Sequence, residues 1–186
     1  MDAAQFEKEF PSLAHRLGRD NVALLLSLAQ FRELPAGYTL IEDVSPVDAV
    51  HLIVSGELRV ELKEGEQSLL LGRLGKGKWV GEVSLFTGDN IATSGVITDT
   101  PAAVLSLKHA DFVVAQTQHP DFVSALTQVF VDLMTERLRA SNQVLEQSGE
   151  HQLAFHGGDT LLRGDDNGAR QGWLKSMLQK LSGVEG

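Results

Sequence analysis

The chain has no cysteine among its 186 residues. That excludes disulfides, zinc–thiolate sites and a cysteine nucleophile, and it fits a reducing compartment. Positive charge is scarce: 16 Lys and Arg against 25 Asp and Glu leave a net charge of −9. A chain of that sign is poorly made for broad binding to nucleic acid or anionic membranes. No apolar run approaches the roughly 20 residues of a membrane span. The start, Met1-Asp2-Ala3-Ala4-Gln5-Phe6-Glu7, lacks the basic and apolar regions of a secretory signal. The expectation is a soluble, cytoplasmic protein. The six histidines, at 15, 51, 109, 119, 151 and 156, never occur as His-x-His, and only His51 falls in a strand pattern. No metal centre is expected from them, and the acidic stretch Asp159 to Asn167 lacks calcium-loop spacing.

What is present has ordinary globular proportions, 42% hydrophobic and 22% charged. Residues 1–30 read as a helical segment. Phe6, Phe10, Leu13 and Leu17 recur at three- and four-residue steps, Pro11 marks a break, and Asp20 is placed to cap a second helix, Asn21 to Gln30. Over 31–107 the pattern shortens to period-two segments between turn residues. These are Tyr38–Ile41, His51–Val54, Leu58–Leu62, Ser68–Leu74, Ile91–Thr98 and Ala102–Leu107. Many short strands so spaced predict an antiparallel barrel or jelly roll.

Helices return over 108–147. A short one covers His109–Ala115, and the longest covers 121–147. The long helix carries two stripes. One, Leu126, Phe130 and Leu133, is placed to cover the barrel. The other, Val131, Met134, Leu138, Ser141 and Leu145, is a seam suited to pairing as a homodimer. Residues 148–169 read as a linker. Over 170–186, Trp173, Leu174, Met177, Leu178 and Leu181 form the apolar face of a short tail helix, a surface for a protein partner or for this domain itself.

The most informative stretch is Leu74-Gly75-Lys76-Gly77-Lys78-Trp79-Val80-Gly81-Glu82-Val83-Ser84-Leu85-Phe86. Its glycines permit close approach, successive N–H groups can face an anion, and one carboxylate stands beside them. Such a pocket suits a phosphate ester bearing a free hydroxyl. The cation that should follow is missing, because no Lys or Arg occurs between Lys78 and Lys108. Ser84 lacks a Gly-x-Ser-x-Gly elbow, so it reads as a helix residue; no catalytic residue and no cofactor is expected.

This stretch, together with Leu34-Pro35-Ala36-Gly37-Tyr38-Thr39-Leu40 and Leu52-Ile53-Val54-Ser55-Gly56-Glu57-Leu58-Arg59-Val60, resembles the cyclic-nucleotide-binding domain family of the catabolite-activator and kinase regulatory-subunit type. The resemblance covers 25–147. It implies an α+β fold: an antiparallel β-roll flanked by N-terminal helices and a long C-terminal helix. It also implies that Glu82 accepts a ribose hydroxyl, that N–H groups from Val83 to Leu85 face the cyclic phosphate, and that Gly81 lets the sugar approach. Family members usually place an arginine nine residues after the glutamate and often a Ser or Thr next. Here those positions are Ile91 and Ala92, and Val44 stands where a turn glycine is common.

A charged hydrogen bond contributes about 1.5–3 kcal/mol, so its loss would take micromolar affinity to roughly 0.1 mM. Lys76 and Lys78 are the nearby cations available to replace it. Two non-enzymatic readings stay open. One is a regulatory sensor with cyclic AMP or cyclic GMP as leading ligand at reduced affinity. The other is a degenerate fold that binds no nucleotide and serves assembly. The roughly 40 residues after the long helix are too few, and too irregular, for a helix-turn-helix, so DNA reading is not expected.

Overall fold

A computed structural model describes residues 1–64, 67–87 and 90–148. The expected linker and tail helix fall outside them, Ser148 excepted. Three helices open the chain: α1 (Ala3–Glu9), α2 (Pro11–Leu17) and α3 (Arg19–Leu28). Asp2 caps α1 by accepting the Gln5 N–H at 2.8 Å, and Pro11 sits at the first position of α2, where its missing N–H costs nothing. Gly18, at φ 81°, ends α2 and starts α3. Asp20 is therefore in the first turn of α3 rather than its cap, favourably placed at the positive end of the helix.

Eight strands follow or interleave: β1 (Gln30–Leu34), β2 (Thr39–Ile41), β3 (Ala49–Ser55), β4 (Leu58–Glu64), β5 (Gln67–Leu74), β6 (Trp79–Val80), β7 (Gly95–Thr98) and β8 (Ala102–Lys108). They form two four-stranded antiparallel sheets, ordered β1-β8-β3-β6 and β2-β7-β4-β5. This is the expected α+β fold, a β-roll between helices. The short helix α4 (Ser84–Thr87) lies within it. Helices α5 (His109–Gln118) and α6 (Pro120–Ser148) close the described chain.

The two sheets differ in their cover. In β3, Val50 and Leu52 join Leu105 and Leu107 of β8 against Phe6, Leu25, Phe112, Leu126 and Phe130 of the helices. Ile53 instead enters a second core inside the roll, with Leu58, Val60, Leu71 and Val96. With apolar groups on both sides, β3 and β8 are buried along nearly their whole length. The second sheet alternates: Leu58 and Val60 point inward while Arg59 and Glu61 do not.

On α6 the stripe predicted to cover the roll does so, Leu126 and Phe130 being fully buried and Leu133 partly. Of the seam, Val131 and Leu138 are 44% and 51% exposed, whereas Met134 packs against the core. The Leu145 side chain is outside the described set. The strand expected from Ile91 begins only at Gly95. Residues 90–92 cross instead to 45–47, with an isolated bridge between Ile91 and Pro46, Val47 N–H on the Asn90 carbonyl at 2.7 Å and Ala92 N–H on the Ser45 carbonyl at 2.9 Å.

Candidate functional site

The turn leading into β6 passes through Gly77 at φ 82°. Trp79 and Val80 pair with Leu52 and His51 of β3. Gly81 then reverses the chain at φ 81°, and a Cβ there would lie 2.7 Å from the Ala49 carbonyl oxygen. The fold therefore requires glycine at this position before any ligand is considered. Glu82 and Val83 complete the turn into α4. Leu85 N–H donates to the Glu82 carbonyl at 3.2 Å, Phe86 N–H to that of Val83 at 3.0 Å, and the Ser84 hydroxyl to that of Gly81 at 2.6 Å. Ser84 is thus a helix residue tied to its own turn, with His109 Nε2 at 3.4 Å.

Six of the seven residues singled out in the sequence line one cavity of about 80 Å³: Gly81, Glu82, Val83, Ser84, Ile91 and Ala92. Leu85 does not; it packs toward the helical core. Ile41, Val47, Val60, Leu74 and Val96 supply the apolar wall, and Thr93 and Ser94 add hydroxyls. Ile91 thus stands in the lining of the cavity. Neither Lys76 nor Lys78 contributes to that lining. Lys76, itself part of the cassette Leu74–Phe86, pairs with Glu9 of α1 and lies over the Phe10 ring, not in that lining.

The cation in the lining comes from elsewhere. Arg137, on α6, is 8% exposed, and its Nη1 donates to Glu82 Oε1. Its Nη2 donates to the Trp79 carbonyl at 2.9 Å. Glu82, 1% exposed, therefore has its carboxylate on a guanidinium rather than on the N–H groups of α4. Burial pulls the Arg137 pKa down to about 10, which leaves it charged at neutral pH. Among the described lining residues, Glu82 and Arg137 are the two ionisable ones. The same joint is packed by rings. Trp79 meets Phe130 of α6 edge-on at 5.2 Å, and Phe86 meets it at 6.3 Å.

Sequence reasoning missed Arg137, although a signal was present. The buried stripe Leu126, Phe130, Leu133 continues by one further four-residue step to Arg137. A charge on a core-facing stripe needs a buried partner, and Glu82 was the unpaired carboxylate.

Residues 31–119 match the model of the cyclic nucleotide-binding domain. That segment is similar to the cyclic nucleotide-binding domain family. Solved structures agree on the fold. A cyclic nucleotide-binding domain from Methylobacillus flagellatus superposes with TM-score 0.68 over 83% of this chain and 88% of that one, at 18% identity. The catabolite activator protein of Thermus thermophilus gives TM-score 0.56 over 91% and 82%, at 20% identity. A curated relative, glutaminase 2 of Bradyrhizobium diazoefficiens, is 27% identical over 131 residues, which is 70% of this chain but 20% of that protein. Among the described residues, no helix is long and apolar enough to cross a membrane.

Proposed function

We propose that this domain is a non-enzymatic regulatory sensor for a small anionic ligand, with cyclic AMP or cyclic GMP as the leading candidates. The observation that carries the reading is the cassette cavity, where Glu82, Arg137 and the turn of Gly81 to Ser84 stand in one lining. Glu82 is the acceptor for a ligand hydroxyl, and the apolar wall receives the base. Small-molecule pockets occupy roughly 300 Å³ or more, so a cavity of about 80 Å³ represents a closed state that a nucleotide must open. Output passes through α6, whose outward Val131 and Leu138 form part of a face for a second copy of the chain. The likeness to a segment of a glutaminase supports a role as an accessory domain governing an enzyme, in the same chain or as a partner.

Two observations favour the alternative, a degenerate domain that serves assembly without nucleotide. Ile91 puts an apolar side chain into the lining, and the Glu82 carboxylate is already paired. Calorimetric titration with cyclic AMP and cyclic GMP to millimolar concentration separates the two. Saturable heat supports the sensor; its absence for both nucleotides leaves the assembly reading.

A further inference from the structure

We infer that Arg137 is the anion-binding residue of this pocket and works in two positions. It sits on Glu82 when the pocket is closed and on the anionic oxygens of the ligand when it is filled. The inference rests on the reading that the cavity takes an anionic ligand.

Three observations converge. Arg137 is the one cation among the described residues of the lining, and it reaches the cavity from a helix rather than from the cassette. Its guanidinium is buried yet incompletely bonded: Nη1 is on Glu82 and Nη2 on the Trp79 carbonyl, while the buried Nε–H has no partner among the described residues. A guanidinium offers five N–H donors in a planar fork that matches phosphate or carboxylate oxygens, and a buried donor left unmade is unfavourable. Finally, Arg137 is the sole contribution of α6 to the lining among the described residues. The helix that closes one side of the cavity therefore carries the charge that would hold the ligand.

Exchange of Glu82 for a ligand anion keeps the guanidinium paired throughout. It also frees the Glu82 carboxylate to accept from a ligand hydroxyl. Because Arg137 bonds the Trp79 carbonyl and Phe130 packs on the Trp79 ring, moving the guanidinium disturbs the seat of α6 on the cassette directly. Ligand charge and helix position are linked through one side chain.

The chain contains two tryptophans, so Trp173→Phe leaves Trp79 as the reporter at this joint. That variant of the full chain would be titrated with cyclic AMP, cyclic GMP and inorganic phosphate, reading Trp79 emission and heat. The titrations would be repeated with Arg137→Gln, Arg137→Lys and the neutral pair Glu82→Gln with Arg137→Gln, whose unfolding is checked first. Expected are a saturable Trp79 change in the parent, an affinity about ten- to a hundredfold weaker in Arg137→Gln and in the neutral pair, and partial recovery in Arg137→Lys. A nucleotide bound equally well by the parent and both glutamine variants overturns the role of Arg137 and leaves the sensor reading standing. Phosphate bound through Arg137, with neither nucleotide bound, supports the role and removes the nucleotides. No response to any probe at about 10 mM overturns both, since that concentration exceeds even weak millimolar affinities.

Discussion

The helix-covered sheet and the open sheet of this roll both carry charge, and they handle it in opposite ways. On the open sheet, Asp99 receives Arg59 at 2.8 Å and Arg73 at 2.7 Å, and Arg59 also reaches Glu61 at 3.2 Å. These side chains keep between 14% and 48% of their surface in water. At the joint between the covered sheet and α6, Glu82 and Arg137 keep 1% and 10%. An exposed pair exchanges freely with solvent and contributes little, whereas a buried pair is costly to form and costlier to halve. Charge on the open face therefore stays partly in water, while the same chemistry at the covered joint ties two elements into one unit.

The widest test of that contrast is Arg137→Met. It leaves the Glu82 carboxylate buried without its guanidinium, so stability should fall by about 3–5 kcal/mol in denaturant unfolding. Adding Glu82→Gln should return most of the loss, because no bare charge then remains. A loss under about 1 kcal/mol for Arg137→Met would place this pair in the same class as the exposed ones.

A second test uses pH. His51 pairs across the covered sheet with Ser106, its Nδ1 at 2.8 Å from the hydroxyl. Burial pulls its pKa down to about 4, with the Arg32 and His109 charges adding to the effect and Asp48 opposing it. Between the unfolded value near 6.5 and that value, the unfolded chain takes up a proton that the fold refuses. Stability from this group is therefore complete above about pH 6.5 and is lost as pH falls toward 4, amounting to about 3 kcal/mol. Unfolding measured across that range in the parent and in His51→Asn should show a flatter profile for the variant. Parallel profiles would mean that His51 is not the group responsible. His109, also held below its ordinary value by burial, remains in both proteins, so the difference between the profiles reports His51.

How much of this was readable beforehand divides along the same line. The strand series and the covering stripe of α6 were legible because period two and the three-to-four-residue step each report which face is buried. Six of the cavity residues were legible because they lie within one contiguous cassette and its following segment. Arg137 was not read, since its partner is distant in sequence and only tertiary packing brings the two together. Trp79–Val80 was not read as a strand because two residues carry no periodicity. Gly18 took the place of the expected cap: at φ 81° it turns the chain between α2 and α3, so α3 starts at Arg19, one residue before Asp20.

On the open side the effects should be smaller. Val44, where a turn glycine was expected, has φ 55° and is 74% exposed. A β-branched residue in the left-handed region is strained, and the Val44 side chain stands mostly in water. Val44→Gly should therefore stabilise the protein by about 1 kcal/mol, the relief of strain exceeding the added freedom of the unfolded chain. A loss of stability would mean that Val44 packs in solution.

The smallest effect should come from Arg73→Ala. Its side chain is 48% exposed, and Asp99 retains Arg59 when it is removed. The change should cost about 0.2–1 kcal/mol at low ionic strength and less in 1 M salt, where screening shortens to about 3 Å. Salt should leave the cost of Arg137→Met almost unchanged, because ions do not enter the space between two buried groups. If both variants responded to salt alike, the covered joint would be open to solvent, and the coupling of α6 to the cassette would lose its physical basis.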